Sequence, residues 1–305
     1  MKSFPRWINR HDIGLLALSL GLIAAFPAQA AVITQQATNA FGQDWSTGNT
    51  WISGTHTPSA GNDYVTPTTM NLRTPGGNDL NYTFGGDSLT IESGGMLQTK
   101  MNTSGATVAI GHLILNGGTL RNGGPGGANN ALHIVSGGLQ ITGTGSTITP
   151  GGGGFVRNLQ VDSLLWGAGP LTIGDSTATL TNSVIFTNAA NTYSGAMTVA
   201  YGIVEFTYNF ASDQLLQHLI VESGGKVNLS HDLTVRSLQI DEALIAPGVY
   251  DYSAFSTLGL GSFFVNGSGA ITVAPIPEPR FGLLGLLGAG LLWRAHRSRH
   301  RIRQA

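Results

Sequence analysis

Between Asp87 and Glu222, apolar and polar residues alternate in short runs, each interrupted by a corner of small or glycine residues and resumed by another apolar pair. The pattern recurs at residues 89–98 (LTIESGGMLQ), 113–122 (LILNGGTLRN), 132–141 (LHIVSGGLQI), 171–180 (LTIGDSTATL), 197–206 (MTVAYGIVEF) and 219–229 (LIVESGGKVNL). Period-two alternation buries one face of a strand, and paired glycines supply the positive φ that a sharp corner needs. Glycine pairs begin at Gly94, Gly117 and Gly137, spaced by 23 and 20 residues. Rungs of about 20 residues predict an all-β chain whose residues 87–236 form a right-handed parallel β-helix, each rung burying its inward side chains on the next. A propeller, with ~40 residues per blade, and a sandwich, with strands every ~8–12 residues, stay open as alternatives.

On either side of the repeats the pattern changes. Residues 45–63 (WSTGNTWISGTHTPSAGND) are rich in turn formers and hold two tryptophans, so residues 31–86 read as a cap over the first rung's open edge. Residues 237–274 end in a Gly-Ser-Gly strand and read as the closing cap. Two largely apolar runs lie at the ends. Residues 13–26 (IGLLALSLGLIAAF) follow a basic start and precede Ala28-Gln29-Ala30, the order of a signal peptide over residues 1–30, cut by signal peptidase between Ala30 and Ala31. The alternative there is an uncleaved anchor, for which the run is short of the ~20 residues a spanning helix needs. Residues 281–293 (FGLLGLLGAGLLW) follow Pro275-Ile276-Pro277-Glu278-Pro279 and precede Arg294, Arg297, Arg299, Arg301 and Arg303. This is a stop-transfer order: the prolines end the preceding strand, the apolar run enters the bilayer as a transmembrane helix, and the arginines hold the C-terminus in the cytoplasm.

Charge sharpens the division. Nine of the 15 basic residues lie in the two ends, so residues 31–277 carry 14 acidic against 6 basic side chains, a net −8 that argues against nucleic acid as partner. Only 10% of residues are charged while Gly numbers 44, which suits short strands and tight turns better than helices. With no Cys, disulfides, thiolate metal sites and Cys nucleophiles are excluded.

Pro277-Glu278-Pro279, the Leu/Gly run 282–292 and the Arg cluster 294–303 resemble the PEP-CTERM sorting signal, a likeness covering about the last thirty residues, 275–305. The resemblance implies recognition by an exosortase, a membrane cysteine protease of bacteria that make extracellular polysaccharide, with Pro277, Glu278 and Pro279 as recognition residues. Residues 180–206 (LTNSVIFTNAANTYSGAMTVAYGIVEF) resemble the autotransporter-associated β-strand repeat around Asn191-Thr192-Tyr193-Ser194-Gly195. That likeness implies a β-helical stalk, although the chain has one clear copy of the repeat and no C-terminal membrane barrel of its own.

Chemistry is sparse. Asp162, Asp175, Asp241 and Glu242 are the carboxylates from which a glycosidase pair would have to come, but turn and surface roles account for them better. His56, His112, His133, His218 and His231 never fall at metal-ligand spacing and read as surface imidazoles. Ser194 lacks the nucleophile elbow, and the glycines at 151–154 lack the Lys of a phosphate loop. Tyr193, Tyr201, Phe206 and Tyr208 lie beside Glu205 and could stack on sugars, but alternation turns several of them inward. No catalytic residue, cofactor or metal is assigned. The expected protein is exported across the inner membrane to the cell surface or beyond, with a transient or retained tail anchor. It would serve as a non-enzymatic structural or adhesion protein of an exopolysaccharide or biofilm layer, met during sorting by signal peptidase and exosortase. The alternatives are a β-helical polysaccharide lyase or hydrolase, and a sugar-binding module.

Overall fold

The computed structural model describes residues 30–37, 42–47, 49–52, 57–124, 131–143, 145–152, 154–209 and 216–275. Within them the chain is nearly all β and winds a parallel solenoid of about seven turns. The first turn holds, among the described residues, β1 (Ala31–Thr34) and β2 (Gln43–Asp44). The turns that follow run through β3 (Asn62–Thr66), β4 (Asn71–Arg73), β5 (Asn81–Phe84), β6 (Ser88–Glu92), β7 (Met96–Thr99), β8 (Ala106–Asn116), β9 (Thr119–Asn122), β10 (Ala131–Ile141) and β11 (Ser146–Thr149). They continue through β12 (Arg157–Val161), β13 (Leu164–Gly167), β14 (Leu171–Ile173), β15 (Ser183–Phe186), β16 (Ala196–Phe206) and β17 (His218–Asn228).

The strand registers sort these elements into three faces. The first stacks β1, β3, β6, the end of β8, the end of β10 and β13. The second stacks β2, β4, β7, β9, β11, β14 and the starts of β16 and β17. The third stacks β5, the starts of β8 and β10, then β12, β15 and the ends of β16 and β17. Four 11-residue strands, β8, β10, β16 and β17, bend around a corner instead of stopping there. In β10 the bend falls at Gly137, whose φ of +102° admits no ordinary side chain and whose Cβ would lie 2.0 Å from the Ile110 carbonyl oxygen of the turn below.

The coil is longer than the expected 20 residues. Leu89 pairs with Leu113, Leu113 with Leu139 and Leu139 with Leu165, steps of 24, 26 and 26. The discrepancy comes from comparing unlike corners. Gly94 and Gly117 both turn the first face into the second, between β6 and β7 and between β8 and β9, whereas Gly137 sits opposite Ile110, where the third face turns into the first. Loops absorb the rest of the variation: Leu219 to Leu238 is a step of 19 and Val32 to Asp63 a step of 31.

Inward positions stack into ladders that make the core. On the second face Leu72, Leu97, Leu120, Ile148, Ile173, Val199, Val221 and Ile240 follow one another rung by rung, all buried. On the third face the ladder is Ala106, His133, Leu159, Val184, Val204, Val227 and Phe264. Each fully buried Leu or Val contributes ~1.5–3 kcal/mol relative to exposure, and none of it requires charge. Among the described residues a single ion pair occurs, Arg73 Nη1 to Asp44 Oδ2 at 3.5 Å.

The two ends differ. Residues 31–86, expected as a cap, are themselves coiled, and the closing at that end falls to Trp45 and Trp51, which meet Phe84 and Tyr64 edge-on at ring-centroid distances of 5.3 and 4.8 Å. At the other end β18 (Leu233–Val235), β19 (Leu238–Ile240), β20 (Ala243–Ile245), β21 (Gly248–Asp251), the short helix α1 (Tyr252–Thr257), β22 (Phe264–Val265) and β23 (Ala270–Val273) close the stack. The pairings β19–β20 and β21–β23 are antiparallel, which ends the parallel progression. Asp251 caps α1 by accepting from Ala254 N at 2.7 Å, and Phe255 stacks on Phe264 at 3.9 Å.

Candidate functional site

The sorting residues Pro277, Glu278 and Pro279, the arginines 294–303 and Ala28 lie outside the described residues, as do the whole signal-peptide and membrane runs and His56. Ala31 opens β1, and Pro275 follows β23. Among the described residues no helix is long and apolar enough to cross a membrane.

The four candidate carboxylates do not form one site. Asp162 sits where the third face turns into the first, and its Oδ1 accepts from Thr187 Oγ1 and from Gln160 Nε2 at 2.8 Å. Asp175 follows β14 and accepts from Thr177 N at 2.9 Å and from its hydroxyl at 2.5 Å, closing its own loop. Both act as corner braces.

Asp241 and Glu242 do come together, with Glu222, in an open groove of about 740 Å³ at the C-terminal cap, where Ile240, Leu260 and Phe263 supply apolar wall. Two local irregularities build it. Val199 pairs with Val221 but Tyr201 with Gly224, so β17 carries one residue more than β16 and bulges at Glu222–Ser223. Asp241 and Glu242 form the two-residue turn of the β19–β20 hairpin, with Asp241 held at φ +50°, a left-handed conformation that Asp tolerates better than most residues. The groove offers carboxylate acceptors to hydroxyl or cationic groups. Among the described residues no set of three or more His, Asp or Glu side chains is close enough to hold a metal ion.

The aromatic group divides as alternation predicts. Tyr193, Phe206 and Tyr208 are buried, while Tyr201 stands outward. Tyr193 Oη donates toward the Gly169 and Ala196 carbonyls, each at 2.7 Å, and Asn191 Nδ2 donates to Tyr208 Oη at 2.8 Å. Burial pushes the Tyr208 hydroxyl up to about 12. The Asn-Thr-Tyr-Ser-Gly segment therefore locks adjacent turns together, and no row of exposed aromatics includes Tyr208. Trp166, unnoticed in the sequence, covers Gly138 on the neighbouring rung and stacks on His112 at 5.3 Å.

His133 departs from expectation: it lies in the third-face ladder with no exposure. Since a carbonyl can only accept, Nε2 carries the proton and donates to Met101 O at 3.1 Å, leaving Nδ1 to accept from the Thr99 hydroxyl at 2.8 Å. Burial, aided by the nearby Arg157 and Lys100 cations, lowers its pKa to about 4 against the opposing pull of the Met101 and Thr99 backbone carbonyls. No protein-family model, curated protein or solved structure matches the chain.

Proposed function

We propose that the chain is an exported, non-enzymatic surface or matrix protein, sorted through its PEP-CTERM-like tail and acting by adhesion to, or organisation of, an exopolysaccharide layer. The observation that carries this reading is a capped β-solenoid of about seven turns standing between two terminal segments that read as address labels. A solenoid held by stacked apolar ladders is a stiff spacer with a large repetitive surface, which suits a scaffold. The right-handed sense belongs to the same reading, because parallel strands joined within one sheet take that hand almost without exception.

The test follows the tail. In a host with the matching exosortase, the wild-type chain should lose its C-terminal segment by intact mass and move to the surface or medium, while Glu278→Ala should retain it in the membrane fraction. An uncut tail in both would leave a membrane-anchored β protein and remove the sorting assignment.

A carbohydrate-active enzyme is the second reading, favoured by the three carboxylates that share the C-terminal groove. It requires wild-type chain to release new sugar ends from a polysaccharide and Glu222→Gln or Glu242→Gln to stop the release. A scaffold releases none in either form.

A further inference from the structure

Four of the six basic residues in the acidic body gather along one edge, where the second face turns into the third. Arg73 ends β4, Lys100 follows β7, Arg121 lies in β9 and Arg157 opens β12. Arg73 pairs with Gln98 and Gln98 with Arg121, so these two arginines stand two rungs apart, ~10 Å along the axis. Mutual repulsion is felt within the group: burial first, then Arg157, Arg73 and Arg121 in turn, lowers the Lys100 pKa, and burial followed by Arg121 lowers that of Arg157.

Carboxylates attend only the flanks of this edge. Asp44 meets Arg73, and Arg121 Nη2 donates to Thr177 Oγ1 at 3.1 Å, the hydroxyl that Asp175 also holds. Between them, Lys100 and Arg157 have no acidic partner among the described residues. Arg157 is only 9% exposed, yet its buried Nε makes no hydrogen bond, and its guanidinium lies over the Phe155 ring, 5.1 Å from the centroid. The fork lies against Gly124, φ +59°, where a Cβ would come within 2.4 Å of Nε. The sequence between Gly124 and Ala131, PGGANN, contains no acidic residue.

A buried guanidinium Nε without an acceptor is costly, and cations held together without counter-ions repel, so an arriving anion at the fork relieves the repulsion. Arg presents a planar fork that matches a carboxylate, and Lys adds a point charge beside it. We infer that this edge is a binding site for an anionic polysaccharide, whose carboxylate groups dock on Arg157, Lys100 and Arg121. The inference deepens the exopolysaccharide reading and rests on it for the identity of the polymer. It also places adhesion on an edge whose sign is opposite to that of the body as a whole.

The experiment measures binding of the full chain to polygalacturonate and to the same polymer fully methyl-esterified, which keeps the sugar and removes the charge. Wild type should bind the acid form alone, more weakly as salt rises. Lys100→Gln with Arg121→Gln, both half-exposed, should weaken binding about ten-fold or more while a melting curve verifies the fold. Arg157→Lys keeps the charge, loses the fork and should also weaken binding, whereas Arg236→Gln, which follows β18 away from the edge, should leave it intact. Equal binding of both polymers, unchanged in the double variant, overturns the edge while leaving the polysaccharide reading standing. Binding of neither polymer overturns the inference without touching the tail-processing result, and preference for double-stranded DNA over polygalacturonate overturns the sugar assignment.

Discussion

Acid should loosen this solenoid at one identifiable rung. Above pH ~6.5, His133 is neutral in both the folded and the unfolded chain and stability does not depend on its titration. Between that value and its folded pKa of about 4, the unfolded chain binds a proton that the folded chain refuses, so stability falls as pH falls. A difference of about 2.5 units corresponds to about 3 kcal/mol, lost progressively from pH ~6.5 down to ~4, with a limiting slope of about 1.4 kcal/mol per pH unit. The cause is geometric: the imidazole stands between Ala106 and Leu159 in an apolar ladder, and a proton on Nδ1 would make a buried cation facing the Thr99 hydroxyl, close to Lys100 and Arg157. His133→Gln removes the titration and keeps an acceptor for Thr99 and a donor for Met101. Urea unfolding of both forms at several pH values isolates the effect, since the remaining histidines and carboxylates cancel in the comparison. Wild type should lose about 3 kcal/mol more than the variant between pH 7 and 4. Parallel pH curves for the two proteins would refute the neutral-core assignment.

Leu113→Ala, in the middle of the first-face ladder, should cost about 2–5 kcal/mol by urea unfolding, and a cost under about 1 kcal/mol would show that the rungs are not closely packed there. Asn191→Ala removes the acceptor for Leu165 N, at 2.7 Å, together with the donor to Tyr208, and should cost about 2 kcal/mol; an unchanged melting temperature would deny the bracing role of that segment. Asp251→Ala should cost about 1 kcal/mol by removing the cap of α1, read as a lowered melting temperature, and no change would mean that the hydrogen bond from Ala254 contributes nothing net.

The strands were readable because alternation is a local signal, and five of the six repeats fall on a strand or a pair of strands around a corner, whereas only the first three residues of 171–180 are strand, in β14. Alternation does not reveal which corner. Residues 89–98 and 113–122 cross from the first face to the second, 132–141 from the third to the first, and 197–206 and 219–229 from the second to the third. Treating these as equivalent shortened the apparent coil. His133 shows a signal overlooked: in Ala131-Leu132-His133-Ile134-Val135 the buried positions are 131, 133 and 135, so the phase of the strand puts the imidazole inward and the two large aliphatic chains at half exposure. The basic edge was not legible at all, because intervals of 27, 21 and 36 residues between Arg73, Lys100, Arg121 and Arg157 acquire meaning only once the coil length is known. The acidic groove likewise depends on one inserted residue in β17 and on a tight antiparallel hairpin, neither of which leaves a periodic trace.

The pairings described above also bear on how such a molecule comes into being. Leu113 meets a residue 24 positions before it and another 26 after, and most of the wall is made this way, so typical contacts span only about a twelfth of the chain. Where each repeat touches only its neighbours, structure can nucleate locally and propagate coil by coil. Each coil needs only its predecessor as a template, so a chain that emerges end-first from a ribosome or a narrow channel can wind onto what is already present without waiting for its distant half. The antiparallel strands that arrive last then act as a stop, fixing the length of the rod by the order of its sequence.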